Sequence, residues 1–379
     1  MRGTSRVIKT AFVFGTRPEC IKLAPVIRAV DEHPGMKSIV ISSSQHTDLL
    51  APFLKSFDVR VDHDLRVMRP GQTPNEVLSK VLSALEALLS EERPDLVLVQ
   101  GDTTTALAGA LTAFHADIPV GHVEAGLRTH DVRAPFPEEM NRRLISRLAS
   151  YHFAATKDNI ENLLREEVSP SAIWHTGNPI VDALQWILKN RRPSEFVTEL
   201  IKAHAGKKLI VLTTHRRESF GKTMVENLRA LARFVEATSN CVVIFPVHPN
   251  PSVRKATKEA LSGAAGFEMI DSLNYPDFIH LLSASWLIIS DSGGVQEEAP
   301  SLGKRLIVLR RNTERPEVVR AGIAKLIGDN PELLVETLKS ADSDVDWISA
   351  ASTKQDLFGT GDAAQKIVDV IQRVCRRES

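Results

Sequence analysis

The sequence is short of every feature that would mark a disulfide scaffold, a membrane protein or a nucleic-acid binder. Three cysteines, Cys20, Cys241 and Cys375, stand far apart in 379 residues, without the paired spacing of a zinc site or a redox motif, and a reducing cytosol is the compartment they fit. Charge of one sign is also missing: 47 Lys plus Arg balance 47 Asp plus Glu. No broad basic face is therefore expected for a nucleic acid or an anionic membrane surface. No apolar run approaches the roughly 20 residues of a membrane span. The run from Val7 to Phe14 is interrupted by Lys9 and leads into Gly15-Thr16-Arg17, which does not read as a signal peptide. Internal repeats and low-complexity stretches are absent. So are a P-loop, a three-glycine dinucleotide fingerprint and any set of His, Cys and carboxylates at metal-ligand spacing.

What is present is alternation. The length suggests two domains, and short apolar runs alternate with helical periodicity along both halves. Strands are expected at Val7 to Phe14, Ser38 to Ser42, Asp95 to Gln100, Pro119 to Val123, Tyr151 to Ala154 and Ile173 to Thr176, and helices between them. A charged stretch, Lys189 to Pro193, breaks the pattern and reads as a hinge. After it the pattern restarts with strands at Lys208 to Thr213, Cys241 to Pro246, Phe267 to Ile270, Trp286 to Ser290 and Arg305 to Leu309. Strands that are continuous apolar runs belong to parallel sheets covered on both faces. The expected fold is therefore α/β, with two doubly wound parallel-sheet, Rossmann-like domains at 1–185 and 186–360. A terminal helix at 361–379 carries an apolar stripe at Ala364, Ile367, Val368, Ile371 and Cys375. Ligands of such sheets gather outside the carboxyl ends of the strands, which places the expected site in a cleft between the domains.

Ser290-Asp291-Ser292-Gly293-Gly294-Val295-Gln296-Glu297-Glu298-Ala299 reads as strand end, tight turn and helix start. Paired glycines admit close approach, and the first amides of a helix point at an anion. Glu298, one turn on, suits two vicinal hydroxyls, so diphosphate and ribose together imply a nucleotide. The alternative for this stretch is an ordinary strand-to-helix turn with Glu298 on a solvated face. At the first strand end, Gly15-Thr16-Arg17-Pro18-Glu19 has one glycine only, with Arg17 and Lys22 as anion-binding candidates. Asp102 in Gly101-Asp102-Thr103-Thr104 and Glu124 in His122-Val123-Glu124-Ala125-Gly126 follow two strands joined by one helix, so they are expected on one rim of the sheet. Two carboxylates in a cleft repel and split into acid and base, although Asp102 also suits a helix N-cap. Glu138 opens a helix, where acids are favoured by the dipole in any case. His215, followed by Arg216-Arg217-Glu218, and His248 after the next strand concentrate positive charge where a leaving diphosphate would need it.

These motifs, together with Gly121 to Thr129, Pro137-Glu138-Glu139, His215 to Gly221, Asp291 to Ser301 and Thr313-Glu314-Arg315-Pro316-Glu317, lie in order along nearly the whole chain. In them the chain resembles the non-hydrolysing UDP-N-acetylglucosamine 2-epimerases. The resemblance implies the glycosyltransferase-B architecture and a cytosolic homodimer. It also implies reversible interconversion of UDP-GlcNAc and UDP-ManNAc, without NAD or metal, for surface polysaccharide synthesis. It assigns nucleotide binding to Arg17, Lys22, His215, Ser292, Gly293, Gly294, Glu298 and Arg315, with Phe278 near the uracil. Asp102, Glu124, Glu138 and His215 take the sugar chemistry.

The implied path is loss of UDP with the C2 proton to give 2-acetamidoglucal, then re-addition from the other face. Asp102 is the expected base and Glu138 or Glu124 the returning acid. Where members with a second, allosteric UDP-GlcNAc site carry an arginine and a glutamine, this chain has Gly71 and Asp48, although Gln45, His46 and His248 remain. Allosteric activation therefore does not follow from the resemblance. Leu273 replaces a common polar residue near the uracil, and Phe358-Gly359-Thr360-Gly361 stands where the family has Tyr-Gly-Asp-Gly. The rival readings are a hydrolysing epimerase, a glycosyltransferase with an acceptor pocket, and a silent nucleotide-sugar binder that has lost its carboxylates.

Overall fold

The computed structural model describes residues 6–43, 47–67, 69, 71–214, 221–343, 347 and 356–376. Packing divides the chain into two compact units, Met1–Gln185 with Gly359–Ser379, and Trp186–Phe358.

The first unit is built on a parallel sheet of seven strands among the described residues. In chain order they are β1 (Ile8–Phe14), β2 (Met36–Ser42), β3 (His63–Asp64), β4 (Leu96–Gln100), β5 (Val120–Ala125), β6 (Tyr151–Ala154) and β7 (Ile173–His175). They lie side by side as β3-β2-β1-β4-β5-β6-β7. The second unit has six: β8 (Lys208–Thr213), β9 (Cys241–Val247), β10 (Phe267–Asp271), β11 (Leu287–Ser290), β12 (Arg305–Val308) and β13 (Ala324–Leu326), in the order β10-β9-β8-β11-β12-β13. β4 and β11 are buried along their whole length, and β1 along all but one residue. That is why these strands are continuous apolar runs: helices cover both faces of the sheet.

Each sheet reverses direction of growth once, between β1 and β4 in the first unit and between β8 and β11 in the second. The loops leaving the two inner strands diverge at such a point and open a crevice at the carboxyl edge. In the first unit those loops are Gly15-Thr16 and Gly101-Asp102-Thr103; in the second the described residues leaving the strands are Thr214 and Asp291-Ser292.

The C-terminal helix Ala363–Cys375 belongs to the first unit and packs on the helix Arg17–Glu32. Ala364, Ile367, Val368 and Ile371 of its apolar stripe are buried. Its first amides, Ala363 N and Ala364 N, donate to the Asp182 carboxylate at 3.3 and 3.0 Å. Burial raises the Asp182 pKa to about 6 against those bonds. The stretch expected as a hinge starts inside the helix Pro179–Asn190, and Ser194 caps the next one, Glu195–Ala203. Among the described residues no helix is long and apolar enough to cross a membrane.

Candidate active site

In the first unit the crevice is braced by a residue that sequence reasoning passed over. Glu19, 1% exposed, accepts hydrogen bonds from Gly15 N (3.1 Å), Thr16 N (2.7 Å) and Thr103 Oγ1 (2.7 Å). One carboxylate thus ties the loop after β1 to the loop after β4. Burial raises its pKa even against these bonds. The spacing Thr16-x-x-Glu19 is a capping-box signature that could have revealed it. Gly15 is required by packing: a Cβ there would meet Ser43 Oγ at 2.1 Å and Thr105 Oγ1 at 2.8 Å.

Asp102 and Glu124 come from the carboxyl edges of paired strands, β4 and β5, with Gln100 opposite Val123. The expected mutual repulsion is corrected by the structure, because each carboxylate has its own cation. Lys22 Nζ contacts Glu124 Oε1, and Gln100 Nε2 donates to Glu124 Oε2. Glu124 itself is 8% exposed and holds a left-handed backbone, φ +64°, where the β5–β6 register shifts between Val123 and Ala125. Left-handed geometry at a glutamate is strain of about 1–3 kcal/mol, the kind retained where a side chain has to be aimed.

Asp102 is held by the helix Glu138–Leu148. Arg142 places Nε 3.1 Å from Asp102 Oδ2 and Nη2 on the same oxygen, and Asn141 Nδ2 donates to the Asp102 carbonyl at 2.9 Å. Glu139, fully buried, accepts from Thr129 N (3.0 Å), Arg142 Nη1 (3.1 Å) and Arg143 (3.1 and 3.0 Å). Glu138 is half-buried at the first position of this helix. Arg17, the first residue of its own helix, is exposed, with its guanidinium 5.0 Å from the Phe53 ring centre. His122 beneath the edge donates from Nε2 to the Gly101 carbonyl at 2.8 Å. Burial pushes its pKa down to about 3.

In the second unit Asp291, fully buried, accepts from Thr214 Oγ1 at 2.7 Å, so the loops after β8 and β11 are joined as in the first unit. Ser292 is the cap of the helix Gly293–Ser301. A Cβ on Gly294 would meet nothing among the described residues closer than Ser292 Oγ, at 3.9 Å. Packing among the described residues does not explain this glycine. One turn further, Glu298 accepts from the Tyr275 hydroxyl at 3.0 Å, with both side chains buried.

Arg315 directs Nε and Nη2 at Glu297 Oε1, at 2.7 and 2.6 Å, and Nη1 at Glu314 at 3.2 Å. Arg310 holds the same Glu314 at 2.9 Å. Burial opposes the Glu314 charge, but Arg315 and Arg310 outweigh it and keep its carboxyl far below the usual range. Phe278 is half-buried on the helix Tyr275–Ala284. His215, Arg216, Arg217 and Glu218 lie outside the described residues, as do Gln45 and His46.

The first unit therefore presents two carboxylates, each held by a cation, and the second a helix start followed one turn on by a carboxylate that accepts from a buried tyrosine hydroxyl. Comparison with known proteins identifies the family. The family model for UDP-N-acetylglucosamine 2-epimerase matches residues 28–372. The chain is 42% identical to the UDP-N-acetylglucosamine 2-epimerase of Escherichia coli (strain K12) over 370 residues, 96% of this chain and 98% of that protein. Among solved structures it is similar to the UDP-GlcNAc 2-epimerase from Neisseria meningitidis bound to UDP-GlcNAc. That match has a TM-score of 0.90 and 38% identity, over 97% of this chain and 100% of that one. It is similar also to the Methanocaldococcus jannaschii UDP-GlcNAc 2-epimerase in complex with UDP-GlcNAc and UDP, with a TM-score of 0.81 and 34% identity, over 97% and 100%. The two sheets and these likenesses give the glycosyltransferase-B architecture.

Proposed function

The chain belongs to the UDP-N-acetylglucosamine 2-epimerase family, and from that premise we propose that it interconverts UDP-GlcNAc and UDP-ManNAc by eliminating and re-adding UDP. The observation that carries the reading is the carboxylate pair Asp102 and Glu124, brought to adjacent strand ends and each fixed by a cation from another element. A sugar carbon that must lose and regain a proton needs groups of this kind.

The C2 hydrogen is not next to a carbonyl, so its removal has to be coupled to departure of the anomeric substituent. Asp102 takes the C2 proton; the C–H electron pair becomes the C1–C2 double bond, and the C1–O pair leaves with the β-phosphate of UDP. For return, the diphosphate oxygen bonds to C1 while a proton is delivered to the opposite face of C2 from Glu138 or Glu124. In the second unit, the amides at Ser292, Gly293 and Gly294 receive the diphosphate, Glu298 the ribose hydroxyls and Phe278 the uracil side. Arg17, Lys22, His215 and Arg315 supply the positive charge. In this structure Lys22 is paired with Glu124, and Arg315 with Glu297 and Glu314, so these two reach the diphosphate only as those pairs open on binding. Neither an NAD cofactor nor a metal has a step in this scheme. Action in the cytosol as a homodimer, supplying ManNAc for surface polysaccharide, completes the proposal.

The test is product identity. Purified protein with UDP-GlcNAc alone should give UDP-ManNAc, seen by its anomeric proton and phosphorus resonances. Free ManNAc with UDP as the main product would establish a hydrolysing enzyme instead, and no turnover without an acceptor would favour a transferase.

A further inference from the structure

We infer that Arg142 is the positioning residue for proton transfer at C2 and that Oδ1 of Asp102 is the atom that takes the proton; this rests on the epimerase reading above. Arg142 has a side chain 5% exposed, and its guanidinium spends two of its edges on the protein. Nε and Nη2 both address Asp102 Oδ2, and Nη1 addresses Glu139 Oε2 at 3.1 Å. Glu139 is itself locked by Thr129 N and Arg143. The planar fork is therefore fixed on one side by a fully buried carboxylate and fixes the Asp102 carboxylate on the other.

Asn141, the preceding residue, holds the Asp102 main chain through its carbonyl. One helix thus sets both the position of Asp102 and the rotation of its carboxylate. Oδ1 carries no hydrogen bond among the described residues, and the Asp102 side chain is 24% exposed. Oδ2 has its lone pairs turned to Arg142, so Oδ1 is the oxygen left to approach a C–H bond. A base held in one rotation gains its rate from orientation, and a misplacement of about 1 Å can lower the rate about 100-fold. Lysine would keep the charge but offer a single rotatable point in place of the fork. An ordinary core ion pair would show the same burial, and the experiment separates the two.

C2 deuterium incorporation from UDP-GlcNAc in deuterated water is measured at saturating substrate, with KM, for the wild type, Arg142→Met, Arg142→Lys, Asp102→Asn and the double variant Asp102→Asn/Arg142→Met. Arg142→Met should lose about 100-fold or more in exchange rate with KM changed less than about threefold, because orientation is lost and binding is not. Arg142→Lys should recover no more than about a tenth of the lost rate. In the Asp102→Asn background, loss of Arg142 should lower the residual rate by less than about twofold, since the two act as one unit. Additive losses in the double variant, or a change in KM alone, would overturn the inference. If Arg142→Met does not fold, Arg142→Lys, which keeps Glu139 paired, decides: exchange at the wild-type rate overturns the inference, and a loss of about tenfold or more at unchanged KM supports it. Wild-type protein that leaves C2 protiated would instead reject the epimerase reading itself.

Discussion

Lys22, one turn into the first helix, rests its ammonium on Oε1 of Glu124, a carboxylate 102 positions later in the chain that is aimed by a left-handed backbone. Their side chains are 7% and 8% exposed. A pair this buried is a poor source of net stability, but removing one partner strands the other. Lys22→Met is expected to destabilise the fold by about 3–5 kcal/mol, and Lys22→Met/Glu124→Gln to recover most of that loss. Thermal midpoints of the two variants, with Glu124→Gln as the third corner, check the sign. Equal destabilisation of Lys22→Met in both backgrounds would show that the pair is not coupled.

Tyr275 and Glu298 give a prediction confined to binding. With the phenol oxygen donating to Oε1 from 3.0 Å, the rotation of Glu298 is set before a ribose arrives. Tyr275→Phe removes that bond and keeps the ring, so UDP affinity by calorimetry should fall about three- to tenfold, the worth of one such bond. The C2 exchange rate at saturation should stay within about twofold, as for a loss of uniform binding. A large fall in that rate with unchanged affinity would move Tyr275 into the chemistry.

His122 governs behaviour in acid. Its pKa is pushed to about 3 in the folded protein, by burial first and then by the positive charges of His152, Arg128 and Arg142, against its bond to Gly101. The unfolded chain binds a proton at about 6.5. The folded pKa is depressed for a base, so this contribution is complete above about pH 6.5 and is lost as pH falls toward 3, at about 1.4 kcal/mol per pH unit. His152, held near 4, works in the same direction. The gap in thermal midpoint between wild type and His122→Asn should therefore be widest at neutral pH and close on acidification. A gap constant from pH 7 to 4.5 would refute this.

Legibility in the sequence followed how local the cause was. The buried strands β1, β4, β8, β9 and β11 are apolar runs, and their observed limits fall within a residue or two of the expected ones. β3 and β13, two and three residues long, are too short to hold a pattern. Ser292-Gly293-Gly294 and Glu298 could be singled out as candidates because the paired glycines and the carboxylate lie within about one helical turn. Arg142 could not: in Glu138-Glu139-Met140-Asn141-Arg142-Arg143 any charge reads as a solvated helix face, and its partner Asp102 lies 40 residues upstream. The same non-locality hid the cations that separate Asp102 from Glu124. The positive φ of Glu124 has no composition signal at all, only the strand register that produces it.

In the proposed reaction C2 loses its proton as UDP leaves, and the isotope at C2 after turnover in deuterated water reads that step directly. Wild-type protein given UDP-GlcNAc should return both UDP-ManNAc and UDP-GlcNAc carrying deuterium at C2, and Asp102→Asn should slow that incorporation by orders of magnitude. UDP-ManNAc formed with protium retained at C2 would rule out proton loss at C2 as the route.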